Sequence, residues 1–294
     1  MPAWRRWQLN RARLQTAVRV LRNYPRRIPA LLADDRVFLR AVAAYADAPL
    51  PVGASTLSTR LAGPLRFAHG GDVSEAREIF VSNMYCQSGF LPRPGWCVLD
   101  IGANLGLFAA WAIPLLRRGT LVAVEPVAEA AAFGEGNLRY VRQRNPGVRV
   151  RWVPSAVAER RGDLELLLPY GPRGLACATG WACGADTPCA ALVREAGGGA
   201  TRRVPCEPLD ALVERELGAD APRVDLLKVD IEGMEAACFA GATRTLGRTG
   251  RVVFEYHSAD LLGRCGQLLH AAGLREILRR APYEGEMGLS FWAR

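Results

Sequence analysis

From residue 96 onward, short apolar runs alternate with longer segments of helical spacing. WCVLDI (96–101), LVAVE (121–125), VRVRWV (148–153), VDLLKVD (224–230) and RVVFEY (251–256) have the length and composition of strands. Between and after them, residues 105–117, 127–144, 233–246 and 259–272 read as helices. Apolar strands that alternate with helices predict a parallel sheet buried on both faces, an α/β domain. LREILRR and GLSFWAR, on either side of a Pro- and Gly-bearing turn, predict a C-terminal antiparallel hairpin. Upstream, LRFAH (65–69) reads as a strand, followed by a helix over 73–82 capped by Asp72 or Ser74.

Two regions stand outside this alternation. DLELLLP and RRVPC read as short strands around residues 171–200, a stretch rich in Gly, Ala and Cys. That stretch is either a flap on the substrate side or an insertion with no role. At the other end, Trp4, Trp7, Leu14, Val18 and Leu21 fall close to one helical stripe, with most of the arginines elsewhere. Pro25 and Pro29 end this helix, and a second is expected over 31–46. The division is therefore an N-terminal helical segment, 1–60, and a main domain, 61–294, with an insertion at 160–206.

Charge sharpens that division. The net charge is +9, but residues 1–50 hold ten Arg against three acidic residues, which is +7, and leave +2 for the rest. A basic groove across the main domain is thus not expected, and nucleic acid is a secondary reading that would use the N-terminal segment. Packing on the main domain or on a sister subunit as a homodimer, or a lid over the substrate, fits the segment better than a membrane-surface helix or a docking helix for an acidic partner. No run of 18 apolar residues and no signal peptide is seen, and none of the eight cysteines forms a CxxC pair, so a reduced, cytoplasmic protein is expected. Cys177, Cys183 and Cys189, spaced by six, fit no zinc pattern.

The chemistry begins at VLDIGANLGLF, residues 98–108. A dinucleotide loop reads GxGxxG, and its second glycine admits the pyrophosphate. Here the run is Gly102-Ala103-Asn104-Leu105-Gly106, and the Asn104 side chain takes that space. A GK[ST] ending is also missing, which excludes the P-loop reading. Downstream, Glu125 ends the second strand about twenty residues after the loop, where a carboxylate accepts from ribose hydroxyls. A ligand with a free ribose and no pyrophosphate is implied. S-Adenosylmethionine meets both conditions, and Asp100 would add to an electron-rich pocket for its cationic end. At the third strand tip, Ser155 and the Ala156 amide are candidates to meet adenine.

The fourth strand ends KVDIEGME, residues 228–235, placing Asp230 and Glu232 at the carboxyl edge where open α/β sheets bind ligands. Lys228 is the one Lys among 38 basic residues, which suggests that a compact ammonium is needed there. The fifth strand ends in Glu255, Tyr256 and His257, with Glu255 and His257 on one face.

VLDIGANLGLF, AVEP, the LD of EPLDALV, DLLKVDIEGME and VVFEYH, in that order, resemble FkbM-type S-adenosylmethionine-dependent methyltransferases over about residues 76–257. The resemblance implies a class I, Rossmann-like fold with a mostly parallel seven-stranded sheet, and O-methylation of a natural product or sugar. It assigns Asp100, Gly102, Asn104 and Gly106 to the cofactor loop, Glu125 to the ribose, and Asp230 and Glu232 to the acidic pair beside the cofactor. Ser155 stands where many related enzymes carry an acid or Asn. For the acceptor's proton, His257 is the first candidate base because its ordinary pKa lies near the working pH, and Asp230 is its rival. Asp230 and Glu232 could also orient the next helix or ligate a divalent cation, but no metal is expected.

Overall fold

The computed structural model describes residues 55–59, 61–67, 75–76, 78–80, 83–87, 89–169, 183–184, 199–218, 223–280 and 287–294. The predicted helices over 4–23 and 31–46 and most of 171–200 lie outside these residues. β1 (Ser55–Thr59) and β2 (Gly63–Phe67) pair as an antiparallel hairpin, so the end of the stretch assigned to N-terminal helices is strand. Residues 75–76 and 78–80 are helical, within the helix expected over 73–82.

The central run follows as β3 (Cys97–Ile101), α1 (Leu107–Leu116), β4 (Gly119–Val124), α2 (Ala128–Arg144) and β5 (Val148–Val153). β3 is buried at every position, as a strand covered on both faces must be. β5 buries only its ends fully and exposes Arg149 and Arg151, because it is a sheet edge. In α2, Glu129 stands in the first turn and Arg142 and Arg144 in the last, complementing the helix dipole. β6 (Ala156–Val157), β7 (Gly162–Pro169), β8 (Cys183–Gly184) and β9 (Gly199–Glu207) then form a separate four-stranded sheet from the insertion. β7 and β9 pair antiparallel over their whole length.

α3 (Leu209–Leu217) has no counterpart among the helices predicted from sequence. It buries Leu209, Leu212 and Val213, an i, i+3, i+4 stripe too short to stand out between strand signals. After β10 (Leu226–Val229), the helix expected over 233–246 is two helices, α4 (Glu235–Ala240) and α5 (Thr243–Gly247). The second starts anew because Asp210 of α3 accepts hydrogen bonds from the amides of Arg244 and Thr245, 3.0 and 2.7 Å away. β11 (Arg251–Tyr256), α6 (Ala259–Ala271), β12 (Arg275–Arg280) and β13 (Gly288–Ala293) complete the chain. Ser258 caps α6, its hydroxyl accepting from the Leu261 amide at 3.1 Å.

The main sheet runs in the order β12-β13-β11-β10-β3-β4-β5. β11, β10, β3, β4 and β5 are parallel, and β13 is antiparallel to both its neighbours. This is the expected class I arrangement. One apolar cluster, including Leu107, Trp111 and Leu138, fills one face, and another, including Leu209, Phe239 and Leu269, fills the other. From β3 the chain winds outward to β5, and from β10 it winds the opposite way to β11. The switch point is therefore between β3 and β10, and a ligand crevice belongs at their carboxyl ends. No helix among the described residues is long and apolar enough to cross a membrane.

Candidate active site

Register alone brings the first functional pair together. β3 and β10 are adjacent and parallel, with Asp100 opposite Lys228. Lys228 Nζ lies 3.2 Å from Asp100 Oδ1 and 3.8 Å from Asp230 Oδ2, and it donates to the Gly102 carbonyl at 2.7 Å. It also stands 5.4 Å from the centre of the Tyr85 ring. Burial disfavours the ammonium, but Asp100 and Asp230 outweigh it and hold the Lys228 pKa above its ordinary value. Asp100 is fully enclosed; burial raises its pKa and Lys228 opposes the rise. It pairs with the lysine that donates to the loop carbonyl.

The loop itself is a sequence of left-handed residues: Gly102 (φ 78), Asn104 (φ 45) and Gly106 (φ 70). Gly102 has a stricter reason to be glycine. A Cβ there would lie 1.7 Å from the Asp230 carbonyl oxygen. Two backbones meet there, with Asp230 N–H donating to the Ile101 carbonyl at 3.0 Å. Gly106 leads directly into α1. The Asn104 side chain does not point into empty space, since its amide donates to Glu75 at 2.9 Å and ties an upstream segment to the loop.

Glu125 sits just past β4 and is 7% exposed. Its Oε2 accepts from the Asn104 amide and its Oε1 from the Val127 amide, both at 2.9 Å. Burial raises its pKa to about 7, against the lowering by these two amides. Each oxygen has a further lone pair, so this fixed carboxylate suits a pair of ribose hydroxyls. Ser155 is buried, and its hydroxyl donates to the Ala156 carbonyl at 3.0 Å, which leaves its oxygen as an acceptor. Ala156 opens β6, in register with Cys206 of β9.

The other half lies at the ends of β10 and β11. Asp230 Oδ2 accepts from the Tyr85 hydroxyl at 2.7 Å. Burial first, then the charges of Asp230 and Glu255, keep that phenol protonated and able to donate. Glu232 and Gly233 both have positive φ, 53° and 101°, in a turn that brings Glu232 to His257. His257 Nε2 lies 3.1 Å from Glu232 Oε2, and Nδ1 lies 3.5 Å from Glu235 Oε1. Glu235 is fully buried and also accepts from the Ile231 and Gly233 amides at 3.1 and 3.2 Å, which fixes the turn. Ligand atoms of Asp230, Glu232 and His257 lie within 4.8 Å of one another.

This environment changes the expected part of His257. Burial opposes its positive charge, but Glu232 and Glu235 outweigh it and push its pKa up to about 12. Between two carboxylates the imidazole keeps its proton at neutral pH, so it is not the free base its ordinary pKa suggested. Tyr85, Glu75 and Glu235 carry no motif-level signal, although Glu235 is the last residue of KVDIEGME. Their roles come from contacts across 145, 29 and 22 residues of chain, respectively.

The methyltransferase FkbM domain pattern matches residues 100–283, well over half the chain. The chain belongs to the FkbM methyltransferase family. It is an S-adenosylmethionine-dependent methyltransferase. Among curated proteins, the 31-O-demethyl-FK506 methyltransferase FkbM of Streptomyces tacrolimicus is 28% identical over 252 residues, 79% of this chain and 90% of that one. The AMB antimetabolite synthetase AmbE of Pseudomonas aeruginosa is 26% identical over 227 residues, 71% of this chain but 10% of that much longer protein. A solved FkbM from Methylobacillus flagellatus aligns with 86% of this chain and 58% of its own, at 15% identity and a TM-score of 0.44. Aeropyrum pernix fibrillarin, solved with natively bound S-adenosyl-L-methionine, aligns with 85% and 86%, at 10% identity and a TM-score of 0.44.

Proposed function

We propose that this methyltransferase acts on a hydroxyl group of a small molecule, a natural product or a sugar. The observation that carries this reading is the half-open carboxylate of Asp230. Tyr85 holds Oδ2, whereas Oδ1 makes no hydrogen bond among the described residues. The side chain retains 23% exposure beside the loop, where an acceptor's O–H could donate to it. The name of the Streptomyces relative, which specifies a 31-O-demethyl substrate, supports the same class.

Bound S-adenosylmethionine supplies an electrophilic methyl on its sulfonium. Glu125 would hold the ribose, the Gly102–Gly106 backbone the methionine end, and Ser155 and Ala156 the adenine. Asp230 would orient the hydroxyl and take its proton, while Lys228 and Tyr85 keep the carboxylate in place. Alignment of nucleophile and methyl supplies much of the acceleration in such a reaction, and a positioned base adds roughly 10²- to 10⁴-fold. Glu232 and His257 would line the acceptor side. A cytoplasmic location and a homodimer through residues 1–60 belong to the same proposal.

The test is to supply S-adenosylmethionine labelled with ¹³C in the methyl group, together with extracts of the producing organism. The label should appear in a methoxy resonance of a small molecule. Label on nitrogen, or in RNA, would overturn the reading.

A further inference from the structure

We infer that Asp230, Glu232 and His257 form a site for a divalent cation, and that this cation holds the acceptor's oxygen at the methyl. The inference rests on the O-methylation reading and replaces its direct Asp230–hydroxyl contact with one through the ion.

The donor set is two carboxylates and one imidazole, from three positions on two strand ends, all within 4.8 Å. Around one ion with bonds of about 2.1 Å, neighbouring ligand atoms stand about 3 Å apart. His257 Nε2 and Glu232 Oε2 are 3.1 Å apart. An ion there would displace the proton that His257 holds toward Glu232, since an imidazole nitrogen ligates a metal only when deprotonated.

The arrangement behind the ring is independent of that spacing. A metal-bound histidine generally donates its second N–H to a carboxylate, which fixes the tautomer. Here Nδ1 stands 3.5 Å from Glu235 Oε1, close but not hydrogen-bonded, and Glu235 is itself held by two backbone amides in the interior. Nε2 is turned toward Glu232. A histidine that served only as a counter-charge for Glu232 would need no such buried partner.

A third observation is Glu255, one strand pleat before His257. It is 8% exposed, makes no hydrogen bond among the described residues, and faces the charges of Asp230, His257 and Glu232. An enclosed carboxylate without a donor either holds a proton, as burial and the charge of Asp230 favour here, or has a cation beside it. Four carboxylates, Asp230, Glu232, Glu235 and Glu255, meet here, against one imidazole and a lysine that Asp100 also uses. A divalent ion would supply the missing positive charge and leave positions open for the acceptor. Mixed carboxylate and imidazole ligands suit Mn²⁺ and its neighbours, with Mg²⁺ a weaker fit.

Chemically, the acceptor oxygen would bind the ion and lose its proton to water. Its electron pair would form the O–C bond as the C–S bond breaks and sulfur takes that pair. The ion would act as a Lewis acid and a template.

The experiment uses the full chain stripped with EDTA and saturated with S-adenosylmethionine. Calorimetric titration with Mn²⁺ should show one site. Titration with Co²⁺ should give a visible absorption band that Mn²⁺ displaces. Glu232→Gln and His257→Ala should each abolish or weaken binding at least about tenfold, and Glu235→Gln should weaken it roughly 10- to 100-fold. Each variant's affinity for S-adenosylmethionine, held at Glu125, serves as the check on folding. No Mn²⁺ or Co²⁺ binding to the wild type, or equal binding in correctly folded Glu232→Gln and His257→Ala, would overturn the cation site. O-methylation that persists in EDTA yet needs Asp230 would remove the ion while leaving the proposed function intact.

Discussion

The two halves of the crevice differ in how far the protein satisfies itself. Around Gly102–Gly106, most polar groups have partners within the chain, while Asp100, whose oxygens accept no hydrogen bond among the described residues, is met by the charge of Lys228. Lys228 binds Asp100 and the Gly102 carbonyl, Glu125 binds two amides, and Asn104 binds Glu75. Around Asp230, Glu232 and His257, several are unmatched: one oxygen of Asp230, the carboxylate of Glu255 and one oxygen of Glu235. A preorganised half can present fixed groups to a constant cofactor. A half with spare acceptors needs something from outside to complete it. Preorganisation for the shared ligand and incompleteness for the variable one are what an enzyme with one donor and many acceptors requires.

Substitutions can break each half in a distinguishable way. The largest effect is expected from Gly102→Ala. The new Cβ would meet the Asp230 carbonyl at 1.7 Å with φ at 78°, so the loop and the β10 end must separate. Calorimetry should show no S-adenosylmethionine binding, and both halves should fail together; retained binding would mean the contact is not the hinge between them.

Next, Lys228→Met leaves Asp100 charged and enclosed, which should cost about 3–5 kcal/mol of stability in urea unfolding. Adding Asp100→Asn to it should recover most of that loss. A double variant no more stable than the single would show that the pair does not act as a unit.

A milder change, Glu125→Gln, should weaken S-adenosylmethionine roughly 10- to 100-fold, as expected for a lost charged hydrogen bond of about 1.5–3 kcal/mol. Its pH behaviour is the sharper reading. The free carboxylate has its pKa raised by burial to about 7, and ribose hydroxyls bind the ionised form. Wild-type affinity should therefore rise as pH increases from 6 to 8, and the Gln variant should lose that slope. The sign follows because the ligand favours the state that has lost a proton.

The smallest effect belongs to Tyr85→Phe, which frees Asp230 Oδ2 without touching the cofactor cradle. Cofactor affinity should stay within about twofold while turnover falls about tenfold, the range for one hydrogen bond to a charged group. Equal losses in both would mean that the two halves are not separable.

Much of this was legible before the fold was known. The strands over 148–153 and 251–256 have the bounds their short, β-branched and aromatic runs imply, one as an exposed edge and the other buried almost throughout. The single Lys among many Arg pointed to Lys228, whose straight stem reaches Asp100 and the loop carbonyl at once. The short α3 was not legible, since three buried residues cannot outweigh adjacent strand signals, and neither was the break between α4 and α5, which Asp210 imposes from another helix. His257 shows the limit most clearly. Its type suggested a base, but the carboxylates of Glu232 and Glu235 hold its proton in place.

By itself, then, the sequence determined the periodicities, the glycine-bearing loop between strand and helix and the carboxylates at strand ends, because these follow from local rules of sterics and spacing. Only the tertiary structure decided what each charge faces. A pKa, a hydrogen bond or an unmatched acceptor depends on neighbours brought from tens to more than a hundred residues away, and on how far water is excluded there. That is why Gly102 proved to be a meeting of backbones, Asp100 an anchor for Lys228, and the β10 and β11 ends the incomplete side of the site.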